Sequence, residues 1–135
     1  MTEIGMFLTF PQIPAGTSQM KRVNHRTGKF FAGKQLEEAR RAYEEELRKF
    51  VPDEPLEGPV KMDIEFRYTT KDKKKSGEFK TSRPDCDNMV KLIQDVMTSL
   101  GYWKDDSQVV DLHIRKKWSK YDFAEIVIDI EEAWL

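Results

Sequence analysis

Residues 60–68 sort strictly by twos. Val60, Met62, Ile64, Phe66 and Tyr68 fall on one side, and Lys61, Asp63, Glu65 and Arg67 on the other. Only an extended strand divides residues with that period, so this run calls for a sheet with one dry face and one wet or partly covered face. A dry face needs a cover, and two stretches of the chain can supply one. Leu36, Ala39, Tyr43, Leu47 and Phe50 recur at helical spacing, with Glu37, Glu38, Arg40, Arg41 and Glu44–Glu46 on the other sides, and Pro52 ends the run. Met89, Leu92, Ile93, Val96, Met97 and Leu100 mark a second helix over about 88–100, with Gly101 as its C-cap.

Further strands flank these helices. Ile4, Met6, Leu8 and Phe10 alternate until Pro11 and Pro14 stop them. Val110, Leu112, Ile114 and Trp118 alternate again. Ile126, Ile128 and Ile130 follow a turn at Tyr121-Asp122, so residues 108–131 read as a hairpin. The order is β-α-β-α-β-β, an α+β single domain over 1–135 with helices packed on a mixed sheet. Two loops stand out, one at 11–34 and one at 69–83. The first is long for a compact domain, and loops of that length are usually functional or mobile.

Overall charge excludes little, since 23 Lys and Arg nearly balance 24 Asp and Glu. Its distribution is more informative. No acid stands between Ile4 and Leu36, where Lys21, Arg22, Arg26, Lys29 and Lys34 lie. Residues 71–83 carry Lys71, Lys73, Lys74, Lys75, Lys80 and Arg83 against Asp72 and Glu78. That segregation suits a basic surface facing a polyanion, although two solvated lysine-rich loops would read alike. The single cysteine, Cys86, excludes an internal disulfide and fits a reducing compartment. With no signal peptide and no apolar run near ~20 residues, a soluble, intracellular protein without a membrane partner is expected.

The chemistry concentrates in Arg83-Pro84-Asp85-Cys86-Asp87-Asn88-Met89-Val90-Lys91, followed by Asp105-Asp106. Pro84 biases Arg83 towards extended backbone, and Asp87 is a good N-cap for the second helix. Asp85 and Asp87 would then lie on one side of extended chain, with Cα atoms roughly 7 Å apart. Carboxylates so placed can converge on a hard divalent cation such as Mg²⁺. Lys91 stands one turn past Asp87, and Asp95 one turn further. Asp105 and Asp106 can join only if the chain after the helix returns alongside it. Each piece also has an ordinary reading. A lone DxD before a helix is more often a capped turn, Asp87 with Lys91 a surface pair, Asp95 a second partner for Lys91, and Asp105-Asp106 a plain turn. Cys86 has no visible base partner and reads as a spacer. His25 and His113 are isolated, and the tryptophans read as packing residues.

Taken together, Arg83-Pro84-Asp85-Cys86-Asp87-Asn88, Lys91, Asp95, Gly101-Tyr102-Trp103 and Asp105-Asp106-Ser107-Gln108-Val109 resemble the RusA family of Holliday-junction resolvases over about 83–111. That resemblance implies a small, dimeric, Mg²⁺-dependent endodeoxyribonuclease of bacteria, phages and prophages, with Mn²⁺ as a substitute ion. It implies a cytoplasmic homodimer acting in DNA recombination and repair, which resolves four-way branched DNA by paired symmetric nicks leaving 5′-phosphate and 3′-hydroxyl ends. Asp85, Asp87 and Asp106 would be the catalytic, metal-holding carboxylates and Lys91 the catalytic lysine, with Asn88 and Asp105 in support. Lys21, Arg22, Arg26, Lys29, Lys73, Lys74, Lys75, Lys80 and Arg83 would hold DNA. Pro14-Ala15-Gly16-Thr17-Ser18-Gln19 stands where the family tends to carry a Pro-Pro-Ser-x-Asn-like run. Two rivals remain: a non-catalytic junction-binding recombination module, and a DxD nucleotide-sugar transferase. The small size and the missing nucleotide-binding βαβ pattern argue against the transferase.

Overall fold

The computed structural model describes residues 2–15, 21–23, 26 and 30–133, with the backbone alone for 21–23 and 30–32. A four-stranded mixed sheet runs in the order β1-β6-β4-β5. Its strands are β1 (Glu3–Phe10), β4 (Val60–Thr69), β5 (Val109–Ser119) and β6 (Ala124–Glu132). Two short strands, β2 (Lys21–Val23) and β3 (Phe30–Ala32), pair with each other inside the stretch read as one long loop. They were not foreseen, because three residues are too few to show a period.

The alternation read at 60–68 holds. Val60, Met62, Ile64 and Phe66 are buried, as are Met6, Leu8 and Phe10 of β1 and Ile126, Ile128 and Ile130 of β6. Helices α1 (Lys34–Leu47) and α2 (Cys86–Leu100) cover that face. Leu36, Ala39, Tyr43 and Leu47 of α1 meet Leu92, Ile93, Val96 and Met97 of α2 in one core. Tyr43 sets its ring edge-on to Phe10 at 5.6 Å. Gly101 ends α2 with φ +93, a left-handed conformation that glycine adopts without Cβ strain.

Two expectations need correction. Residues 108–131 do not form a hairpin, because β4 lies between β5 and β6, parallel to one and antiparallel to the other. The chain runs β4-α2-β5 as a crossover, and the short link after Ser119 then passes the end of β4 to reach β6. Alternation alone cannot distinguish adjacent strands from strands separated by a third. Val110 also leaves the inward set: the register slips between Val60 and Lys61, and Val110 is 65% exposed on the edge strand.

Candidate active site

The crossover sets the start of α2 and the turn after it beside the parallel pair β4–β5. The helix begins two residues earlier than its apolar pattern suggests. Asp85, with φ −75 and ψ 144, is the N-cap residue, and Met89 N–H donates to its carbonyl at 3.3 Å. Asp87 is therefore already helical and is not the cap. Its carboxylate lies in the first turn, where the positive end of the helix dipole favours it. Asp85 makes no side-chain capping bond, so its exposed carboxylate is uncommitted. The picture of Asp85 and Asp87 side by side on extended chain gives way to one acid before the helix and one inside it.

The corner leading to Asp85 is held from below by two lysines. Lys80, 8% exposed, donates to the Ser82 hydroxyl at 2.7 Å, to the Ser82 carbonyl at 3.2 Å and to the Arg83 carbonyl. Its ammonium sits 4.9 Å from the Tyr68 ring centre and 5.1 Å from that of Trp118. Burial, then the nearby Lys116 charge, pulls its pKa below the usual lysine value. Lys116 donates to the Ser82 carbonyl at 2.8 Å and the Pro84 carbonyl at 2.7 Å. The Arg83–Pro84 peptide is cis. Lys80 thus differs from the exposed phosphate contact expected of a basic loop: its hydrogen bonds are spent on the fold. Lys116 was passed over, yet a charge standing between Ile114 and Trp118 at an inward position of an alternating strand was the available signal.

The second acidic turn is built differently. Asp105 caps the 3₁₀ turn Asp106–Gln108, accepting from Ser107 N–H at 2.9 Å. Gln108 completes a capping box: its Oε1 accepts from the N–H groups of Lys104 at 2.9 Å and Asp105 at 3.1 Å. Its Nε2 donates to the carbonyls of Leu56 at 2.8 Å and Gly58 at 3.1 Å. The pair read as a plain turn is thus a capped one, for which the D-x-x-Q spacing was the available signal; the reach to residues 56–58 left none. Buried Trp103 fixes the approach to the turn, donating from Nε1 to the Thr98 hydroxyl at 2.7 Å.

This turn lies against α2. Asp106 feels Asp95 and Lys91 directly: burial, the bond with Asp105 and the negative charges of Asp105 and Asp95 raise its pKa, while Lys91 opposes the rise. Asp105 moves the other way, held down chiefly by the Ser107 backbone N–H. Lys91 is exposed and makes no salt bridge with Asp87 or Asp95, contrary to the surface pairs considered for it. Asn88 sits half-buried in the first turn of α2. Among the described residues no three Asp, Glu, His or Cys groups are gathered ready to enclose a metal ion. The donor chemistry nonetheless fits a hard divalent cation. Asp85, Asp87 and Asp106 offer only carboxylate oxygens, the donor type a hard divalent cation takes.

The basic residues fall into three groups. Lys73, Lys74 and Lys75 form an exposed 3₁₀ turn, with Lys73 paired to Asp122 at 2.9 Å. Arg83 is exposed at the corner itself, and Arg26 is exposed in a turn. Lys21 and Arg22 have backbone positions in β2, while Lys29 lies outside the described residues.

A two-layer α+β domain is thus defined, with an acidic helix start and a second acidic turn packed against the same helix. A family model described as endodeoxyribonuclease RusA matches residues 11–131. The chain belongs to that family. A crossover junction endodeoxyribonuclease rusA of Lactococcus phage r1t is 44% identical over 85 residues, covering 62% of this chain and 65% of that protein. An uncharacterized protein YqaN of Bacillus subtilis (strain 168) is 36% identical over 88 residues, covering 57% of this chain and 61% of that protein. These matches span just under two thirds of each relative. Among the described residues no helix is long and apolar enough to cross a membrane.

Proposed function

We propose that residues 1–135 form one RusA-like endonuclease domain that resolves four-way DNA junctions by paired symmetric nicks. It would act as a cytoplasmic homodimer in recombination and repair, in a bacterial or prophage setting. The observation that carries this reading is the return of the 104–108 turn to α2, which puts Asp106 within electrostatic reach of Lys91 and Asp95. Family membership supplies the reaction class.

Asp85, Asp87 and Asp106 would hold a divalent ion, Mg²⁺ with Mn²⁺ as substitute. Mg²⁺ commonly uses one or two carboxylates, keeps several waters and takes the remaining oxygens from substrate phosphate, so no closed protein cage is required beforehand. When bound, it would neutralise charge developing on the phosphate and favour water as nucleophile. Lys91, exposed on the adjoining helix face, would hold the scissile phosphate and offset its charge. Asn88 and Asp105 would support the two acidic elements. Arg83, the lysines of 73–75 and the basic residues of 21–29 would bind backbone phosphates, whereas Lys80 would serve DNA indirectly by holding the corner.

The test is a labelled four-way junction with Mg²⁺. Symmetric nicks are expected, and Asp85→Asn or Asp106→Asn should stop cutting while junction binding persists. Cutting at the wild-type rate by either variant would refute the site. The rival junction-binding module draws support from the absence of a gathered metal-ligand trio among the described residues. It predicts junction binding indifferent to metal and no product at all.

A further inference from the structure

Three large aromatic side chains stand exposed at one edge of the sheet, and the core does not account for them. Phe79 is 65% exposed, Tyr121 46% and Phe123 42%. Tyr121 and Phe123 lie in the link between β5 and β6, their rings nearly parallel at 14° with centres 5.3 Å apart. Phe79 is held by backbone pairing to β5: Gly77 N–H donates to the Trp118 carbonyl at 2.9 Å, Trp118 N–H to the Glu78 carbonyl at 3.0 Å, and Lys80 N–H to the Lys116 carbonyl at 2.9 Å. That pairing sets Phe79 opposite Lys117, whose ammonium is 5.5 Å from the ring centre. Lys117, Lys120 and Tyr121 line one shallow cleft with Ser76 and Gly77. Lys120 sits 5.6 Å from the Tyr121 ring. The Lys73–Asp122 ion pair ties the basic 3₁₀ turn to the same link.

Isolated exposed aromatics are ordinary, but rings interleaved with ammonium groups at one edge have a narrower use. Base faces stack on aromatic rings while cations take the phosphates. Inside a duplex those faces are already occupied by neighbouring bases, so a ring platform selects unpaired ones. Lys116 and Lys117 are neighbours on β5 and leave opposite faces of the sheet: Lys116 holds the carbonyls of Ser82 and Pro84 on the helix side, and Lys117 lies by Phe79 on the open side.

We propose that Phe79, Tyr121 and Phe123, with Lys117 and Lys120, form a stacking surface for unpaired DNA bases on the open side of the sheet, away from the helix-covered face. The proposal rests on the DNA partner argued above but not on the metal site, so the two can fail separately. The experiment measures anisotropy of a labelled thymidine oligomer and of a duplex of equal length, without divalent metal. Phe79→Ala and Tyr121→Ala should each weaken oligomer binding roughly 5- to 100-fold, the range of one lost stacking contact. Duplex affinity should hold, and so should the salt slope, because no cation is removed. Phe79→Trp, which keeps a ring, should restore oligomer binding. Unchanged oligomer affinity, or an equal loss on duplex, would overturn the proposal. A changed sedimentation coefficient with oligomer binding intact would assign the patch to contact between protein copies and overturn it too. Nicking assays on Asp85→Asn report on the active site independently of each of these outcomes.

Discussion

Two turns present the acids of the candidate site, and they are held by opposite means. The corner at 82–85 is held by charge: Lys80 and Lys116 place two ammonium groups against the carbonyls of Ser82, Arg83 and Pro84. The turn at 104–108 is held by a neutral amide, since Gln108 both accepts from two N–H groups and donates to two carbonyls. At Asp106, burial first, then the bond with Asp105 and the Asp105 and Asp95 charges, raise the carboxyl pKa. The two turns thus differ in the chemistry of their supports, ammonium groups at one and a neutral amide at the other.

Breaking the charged support should have the largest effect. Lys80→Ala removes a nearly buried ammonium with its three hydrogen bonds and opens space between Tyr68 and Trp118, so a stability loss of roughly 2–3 kcal/mol is expected in urea denaturation. Lys116→Ala should cost about 1 kcal/mol or less, because water can reach the carbonyls it leaves, yet it should still lower the nicking rate. If both variants unfold and cut like wild type, the corner is not held by these ammonium groups.

Loss of the neutral support comes next. Gln108→Ala should cost about 1–2 kcal/mol, less than Lys80→Ala, because the N–H groups of Lys104 and Asp105 lie in an exposed turn where water replaces the amide oxygen. Its nicking should fall further than its junction affinity, since Asp106 loses its footing while the basic residues do not. Equal losses in both would mean that the turn binds DNA rather than positions an acid.

The smallest effect belongs to a site outside both turns. On the open face of the sheet, Asp63 pairs with Arg115 at 2.5 and 3.1 Å. Chiefly that hydrogen bond, against opposing burial, holds the Asp63 carboxyl below its ordinary pKa. A depressed carboxyl contributes stability above its unfolded pKa and loses it as pH falls through the folded one. The Tm difference between wild type and Asp63→Asn should therefore be present at neutral pH and shrink through the acid end of the carboxylate range. A difference constant with pH would show that the pair contributes packing rather than charge.

Periodicity carried most of the fold. Strand β4, both helices and the Gly101 cap were visible because apolar spacing and local chemistry fix them within a few residues. What periodicity could not carry was neighbour choice, so β4 slipped unseen between β5 and β6. The start of α2 was also misplaced, since Cys86 and Asp87 carry no apolar signal and the first turn is set by the Asp85 carbonyl. Within the candidate site, residue types and spacing drew attention to Asp85, Asp87, Lys91 and the Asp105-Asp106 pair, and only the family resemblance singled out Asp106. Lys116, a charge at an inward strand position, and Gln108, in its D-x-x-Q spacing, left local signals, but the backbone carbonyls that they hold lie far along the chain and no side-chain pattern marks them.

The most direct measurement is Mn²⁺ binding followed by electron paramagnetic resonance, with a non-cleavable four-way junction present. Wild type should take up the ion, and Asp85→Asn and Asp106→Asn should each bind it at least tenfold more weakly, with junction affinity nearly unchanged. Uptake by Asp106→Asn equal to wild type would show that the two acidic turns do not share a cation.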